Sequence, residues 1–166
     1  TYFQLGEEVR RVAEGLRQAG VNAGDRVAII LPNCPQHVVA FYAVLRLGGV
    51  VVEHNPLYTS TELRHMFEDH RAKVAIVWDK VADNITALPS DVRPQTIFAV
   101  NMIEAMPMHM RAALKLPLKS ARQSREKLEG SAPGTKQWKS LLKFAPLDAN
   151  HHRPTASDLA LLLYTS

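Results

Sequence analysis

The sequence predicts an α/β fold, with an open, mainly parallel sheet, helices on both faces and a basic helical insertion. Two observations support this class. Short β-branched runs alternate with amphipathic helix-length segments over residues 1–100, and the connections between them are short. Hydrophobic residues make up 46% and charged residues 22% of the 166 residues, which is typical of a globular chain. The single cysteine excludes an internal disulfide.

The first elements are a helix, a strand and a second helix. Apolar residues recur at spacings of three and four over residues 5–19, which predicts a helix that ends at Gly20. The apolar run 26–31 predicts a buried strand. Pro35 suits the first turn of the next helix, over residues 35–48. That helix is apolar on most sides, so we expect it to lie inside the fold.

The same alternation continues as far as residue 100. Strands are predicted over residues 50–52, 73–78 and 96–100, with a weaker helix over 80–88. Thr59 and Glu62 have the spacing of a capping box, which predicts that a third helix begins there. Strand–helix alternation with short connections indicates parallel strands joined by crossover helices.

Three segments follow from these patterns: an α/β part (1–100), a basic, Met-rich helical insertion (101–150) and a return strand (151–166). Within the insertion, residues 103–127 read as helix interrupted at Pro107 and Pro117, and a short helix is predicted near Trp138. Residues 158–165 read as a last buried strand. Because domains rarely end at a buried strand, we expect the chain to be a fragment of a longer protein.

The charge is concentrated in the insertion, where residues 101–144 hold nine Lys or Arg against three Glu. Four of the cations step by 4, 4 and 3 residues, the spacing of one helix face: Arg111, Lys115, Lys119 and Arg122. Met106 and Met110 lie on the neighbouring face. Such a surface suits an anionic membrane, and the alternative is a solvated charged face whose methionines pack on the domain. No nucleic-acid-binding motif occurs, so no nucleic acid partner is expected.

Three other places carry residues with chemical potential. Glu53-His54-Asn55 follows a strand, where ligands of open α/β sheets gather, although a capped turn before Pro56 explains it equally. Cys34 lies at the start of a predicted helix. It is interpreted either as a reactive thiol or as a small buried residue. His151-His152 lack metal-ligand spacing and favour a solvated loop. We predict no catalytic residue and no metal ligand here.

Asp79 offers a different class of function, because it follows the third predicted strand as the acceptor of a phosphoacceptor module does. Such a module also needs acidic residues after its first strand to hold a metal ion. Residues 31–33 read Leu-Pro-Asn instead, which disfavours this alternative.

Several motifs coincide in order and spacing. They are Gly-Asp-Arg-Val at 24–27, Asn-Cys-Pro at 33–35, Leu-Gly-Gly-Val-Val-Val at 47–52, Asn-Pro-Leu-Tyr-Thr at 55–59 and Tyr-Thr-Ser at 164–166. Together they resemble the N-terminal part of the large domain of adenylate-forming (AMP-binding) enzymes, specifically bacterial long-chain fatty-acid–CoA ligases (acyl-CoA synthetases). The resemblance spans essentially all of residues 1–166 and is loosest over 101–150. Arg71 departs from it, since the family often has a small residue or glycine there.

The resemblance implies a ligase that activates a fatty acid with ATP and Mg²⁺ to an acyl-adenylate and transfers the acyl group to CoA. Thr165 and Ser166 would begin its phosphate loop, where hydroxyl and backbone N–H groups cradle phosphate oxygens. The fragment itself is expected to be inactive and to bind none of these cofactors. The expected location is cytoplasmic or peripheral at the inner membrane face, and a homodimer stays open because some members pair through this region. The alternative is a non-catalytic α/β domain that binds a membrane or a partner.

Overall fold

A computed structural model describes residues 1–164, and six parallel strands form one open sheet within them. The spatial order of the strands is β5-β4-β3-β1-β2-β6. The strands are β1 (Arg26–Ile30), β2 (Val50–Glu53), β3 (Val74–Trp78), β4 (Thr96–Val100), β5 (Lys136–Gln137) and β6 (Leu161–Leu163). The α-helices are α1 (Tyr2–Gln18), α2 (Pro35–Arg46), α3 (Ser60–His70), α4 (Ala82–Thr86), α5 (Met108–Leu114) and α6 (Lys119–Leu128). The predicted parallel α/β class is confirmed.

Helices cover both faces of the sheet. Val27 and Ile29 of β1 join one core with α1, α2 and the 3₁₀ segment Trp138–Lys143, whereas Ala28 and Ile30 join a second core with α3 and α4. These four side chains are fully buried, whereas Arg26 at the start of β1 is exposed. A central strand must be apolar wherever it is buried on both faces, and this explains the continuous apolar run in the sequence.

Local capping defines the helix that follows β2. The Thr59 side chain accepts a hydrogen bond from the Glu62 backbone N–H, and the Glu62 carboxylate accepts one from the Thr59 backbone N–H at 2.8 Å. The predicted capping box is therefore confirmed. The helix ends at Arg71, whose φ of 49° lies in the left-handed region that favours glycine.

Two predictions about burial are wrong. Helix α2 is not enclosed, because it packs on one face of the sheet and beside α1, which leaves Val38 and Tyr42 40% and 54% exposed. Strand β6 is shorter than predicted and lies at the edge of the sheet, with β2 as its neighbour. Leu161 and Leu163 are consequently 39% and 66% exposed.

The segment after β4 contains both predicted helices and an unpredicted strand. Helix α5 begins directly after Pro107 and α6 begins two residues after Pro117, as the two predicted interruptions require. Strand β5 then pairs with β4, and Trp138 and Leu141 are buried in the first core. Residues 136–147 thus contribute to the sheet and its core, and the division at residue 101 stays a prediction. No helix among residues 1–164 is long and apolar enough to cross a bilayer.

Candidate functional site

The carboxyl ends of the parallel strands meet at one edge of the sheet, which is where open α/β folds bind their ligands. Three of the residues that follow these ends carry polar side chains with unusual surroundings: His54 after β2, Asp79 after β3 and Tyr164 after β6. Because β6 lies beside β2, Tyr164 and His54 are neighbours. This edge is the candidate site.

His54 is paired with a second buried histidine. Its Nε2 lies 3.0 Å from Nε2 of His70 at the end of α3, and the two side chains are 4% and 1% exposed. Burial lowers the pKa of His54 to about 4, and burial together with the neighbouring His54 lowers the pKa of His70 to about 3. Both imidazoles are therefore neutral near pH 7. The sequence indicated His54 as a candidate but gave no sign of His70.

Tyr164 closes this corner of the sheet. Its hydroxyl donates a 2.5 Å hydrogen bond to the Asp69 carboxylate, and its ring stacks on His54 with centroids 5.7 Å apart. Burial and then the hydrogen bond to Asp69 raise the pKa of Tyr164 to about 12. The hydroxyl therefore stays protonated and acts as a donor. The expected phosphate-binding residues Thr165 and Ser166 lie outside the described residues.

A histidine–acid pair also lies at the end of β2. His37 Nε2 on α2 is 3.0 Å from Oε1 and 3.2 Å from Oε2 of Glu53. The hydrogen bond to Glu53 raises the pKa of His37, since it favours the protonated ring. The pair ties α2 to the end of β2, and it is only partly exposed.

Asp79 is a buried carboxyl at the end of β3. It is 5% exposed, and its Oδ1 has no hydrogen-bond partner among residues 1–164. Burial raises the pKa of Asp79 to about 6, although the backbone N–H groups of Gly130 and Lys80 oppose the shift. Gly130 has to be glycine here, because a Cβ would lie 2.6 Å from the Cα of Lys80. The carboxyl thus fixes the loop that follows α6.

The remaining predicted residues are dispersed. Cys34 is partly buried, and burial raises the pKa of its thiol, which opposes a reactive thiolate. His151 and His152 lie in a loop after Asp148, where their backbone carbonyls accept hydrogen bonds from Arg46. Among residues 1–164 no three His, Cys, Asp or Glu side chains could hold a metal ion.

The four predicted cations do not share one helix face. Arg111 lies on α5 and Lys115 directly after it, whereas Lys119 and Arg122 lie on α6, because the turn at Pro117 separates the two helices. All four are exposed. Between the helices lies an apolar groove of about 490 Å³. Its lining includes Met106, Met110, Leu116, Leu118 and Leu128.

The same architecture occurs in solved CoA ligases. An anthranilate CoA ligase superimposes with a TM-score of 0.75 at 19% identity, covering 100% of this chain and 27% of that one. A benzoate CoA ligase from Burkholderia xenovorans gives 0.72 at 24% identity over 99% of this chain and 27% of its own. At these identities the likeness shows the fold.

Residues 1–166 also match the family model described as AMP-binding enzyme, and the chain belongs to that family. It is 37% identical over 103 residues to a long-chain-fatty-acid–CoA ligase of Bacillus subtilis, a match covering 62% of this chain and 17% of the relative. It is 35% identical over 91 residues to 4-coumarate–CoA ligase 4 of Arabidopsis thaliana, covering 55% of this chain and 16% of the relative. Each matched segment thus spans less than one fifth of the length of the relative.

Proposed function

We infer that this chain forms the N-terminal portion of an ATP-dependent acid–thiol ligase. The enzyme would join a long-chain fatty acid to ATP, release pyrophosphate, and transfer the acyl group from the adenylate to CoA. The observation that supports this most directly is the position of Tyr164. It continues a parallel strand to the ligand-binding edge of the sheet, and it is the first residue of the Tyr-Thr-Ser motif.

The experiment is ATP–pyrophosphate exchange, measured on the 166-residue chain and on the longer protein that contains it. We expect exchange with fatty acids from the longer protein and none from the chain alone. Exchange by the chain alone would show that the nucleotide site lies within residues 1–166. The encoded sequence after Ser166 gives an independent check, since Gly-Thr-Thr-Gly followed by Pro-Lys-Gly would complete the family's phosphate loop.

Long-chain fatty acids are proposed because several relatives carry that name, including those of Bacillus subtilis and Salmonella typhimurium. The Arabidopsis relative is named for 4-coumarate, an aromatic acid. Exchange should therefore be compared for palmitate, octanoate and 4-coumarate at equal concentration. Faster exchange with 4-coumarate than with palmitate would move the substrate class from aliphatic to aromatic acids.

A peripheral membrane contact through α5 and α6 is a second proposal, compatible with a cytoplasmic enzyme acting on a lipid-soluble substrate. The observation that favours it is the apolar groove on helices that also carry Arg111, Lys115, Lys119 and Arg122. Exposed cations near an anionic bilayer contribute about 1 kcal/mol each, and apolar side chains add to this when they enter the interface.

Vesicle co-sedimentation tests this contact. We expect binding to vesicles with anionic phosphatidylglycerol, weaker binding to phosphatidylcholine alone, and loss of binding when the four cations are changed to Glu. A control variant, Lys143→Glu with Arg153→Glu, reverses exposed charges elsewhere and should bind as wild type does. Unchanged binding of the four-fold variant removes the proposal. A homodimer is also a proposal. Sedimentation velocity of the wild-type chain would test it.

A further inference from the structure

We propose that His54, His70 and Asp69 form a seat for Tyr164, and that this seat fixes where the chain leaves β6 toward the phosphate loop. They are positioning residues, since they would act on the nucleotide through the Tyr164 backbone. The inference rests on the proposed function, because the direction of that loop matters only when it meets a nucleotide.

The first part of the argument is that, among residues 1–164, few other contacts hold β6. It is a three-residue strand at the edge of the sheet, joined to β2. Its Leu161 and Leu163 residues are 39% and 66% exposed. Short edge strands fray readily because few buried contacts hold them, so the position of such a strand depends on contacts at its ends.

The second part is that the end of α3 holds Tyr164 at two points. The Asp69 carboxylate accepts the 2.5 Å hydrogen bond from the Tyr164 hydroxyl. The adjacent His70 holds His54, on which the Tyr164 ring stacks at an interplanar angle of 17°. A hydrogen bond to a carboxylate and an offset ring stack are both directional, so together they define the place and the tilt of the tyrosine ring.

The third part concerns the orientation of His54. The Ala72 backbone N–H donates to His70 Nδ1 at 3.0 Å, so the proton of neutral His70 lies on Nε2 and is donated to Nε2 of His54. This assignment of protons follows from the hydrogen bonds. The proton of His54 then lies on Nδ1, which is buried and has no partner among residues 1–164.

An unpartnered buried N–H is costly, and a phenylalanine at residue 54 would avoid it while filling the same space. What the histidine adds is the hydrogen bond to His70, which prevents rotation of the ring under Tyr164. The ring is further held by a stack on Phe67, with centroids 5.5 Å apart. The pair thus acts as an oriented platform for Tyr164.

Hydrogen exchange on the 166-residue chain tests the seat without any enzyme activity. In Tyr164→Phe and in Asp69→Ala, we expect the amides of residues 161–163 to exchange about tenfold faster, equivalent to about 1.4 kcal/mol. The amides of β1 should be unchanged. The matched control is Glu68→Ala, which alters an exposed neighbour on α3 that pairs only with Arg64 among the described residues.

The longer protein tests the positioning itself. In Tyr164→Phe and Asp69→Ala, we expect the KM for ATP in pyrophosphate exchange to rise about tenfold while kcat changes less than twofold. Asp69→Asn keeps a neutral acceptor and should give an intermediate KM. Glu68→Ala should match wild type. A seat that served stability alone would lower the melting temperature and leave the KM unchanged.

The outcomes separate the two proposals. Wild-type longer protein that shows no exchange with any acid overturns the proposed function. Wild type that exchanges, with variants that keep its KM for ATP, overturns the positioning of the phosphate loop. Unchanged amide exchange in residues 161–163 overturns the seat itself, whatever the enzyme does.

Discussion

The buried pair His54–His70 should make the chain sensitive to mild acid. In the folded state the pKa values of the two rings are about 4 and about 3, whereas an unfolded histidine has a pKa near 6.5. At these two residues the unfolded state therefore binds more protons than the folded state below pH 6.5. Stability that is present at pH 7 is then lost as the pH falls toward the folded-state values.

The expected loss can be worked out between pH 7 and pH 5. Over this interval an unfolded histidine becomes almost fully protonated, while both folded pKa values lie below 5, so their precise values hardly matter. The free energy of unfolding therefore falls by about 2 kcal/mol for each histidine, and by about 4 kcal/mol for the pair. Two groups oppose the loss, because the pKa values of His37 and Asp79 are raised and folding favours their protonated forms. A comparison of variants removes this common background.

The assay is urea unfolding at pH 7, 6 and 5 of wild type and of the double variant His54→Phe, His70→Asn. Phenylalanine keeps the stacks on Phe67 and Tyr164, and asparagine keeps an acceptor for the Ala72 N–H. We expect the double variant to lose about 4 kcal/mol less than wild type between pH 7 and 5, and each single variant about half of that. His109→Asn, on the exposed side of α5, should follow wild type. Equal losses in wild type and double variant would refute a neutral, buried pair.

Three further substitutions have defined outcomes in the same unfolding assay. Gly15→Ala should lower the free energy of unfolding by about 1–3 kcal/mol, because the new Cβ would lie 2.8 Å from Cδ2 and 3.0 Å from Cα of Leu141. Gly6→Ala is the control, since its Cβ would meet nothing within 4 Å and should not destabilise the fold. Asp79→Asn should raise the free energy of unfolding by about 2 kcal/mol at pH 8, because it removes a buried charge. This gain should fade as the pH falls from 6 to 4, where Asp79 itself becomes protonated. A gain that does not vary with pH would contradict the raised pKa. Arg71→Gly should stabilise by about 1 kcal/mol, since φ is 49° there, and a loss would show that the arginine's own contacts outweigh the strain.

The sequence was most informative where structure depends on neighbouring residues. The capping box at Thr59 and Glu62 involves residues three apart, and the structure has both of its hydrogen bonds. The interruptions at Pro107 and Pro117 follow from the proline ring itself. Strand β5 has no such local signal, because two residues, Lys136 and Gln137, become a strand only by pairing with β4. Burial was misjudged for the same reason, since an apolar run cannot show whether another element covers it.

The candidate site was predictable only in part. The rule that ligands gather at the carboxyl ends of strands singled out His54, and the motif ending the sequence singled out the residues around Tyr164. Neither could show His70, which lies 16 residues after His54 on another element. Its contact depends on how α3 packs against the sheet, through the buried residues Leu63 and Phe67. The spacing of residues along the chain cannot predict such packing.

The position of β6 depends both on its burial and on the contact between His54 and His70, the two features that the sequence did not predict. Among residues 1–164, β6 has one neighbouring strand and two exposed leucines, so contacts outside the sheet contribute to fixing its end. The structure supplies this through α3, whose last turn binds the Tyr164 hydroxyl at Asp69 and, by way of His70, orients the ring beneath it. The capping box that starts α3 and the left-handed residue that ends it therefore bear on the candidate site. They fix the positions of Asp69 and His70, and through them the position of the Tyr164 ring.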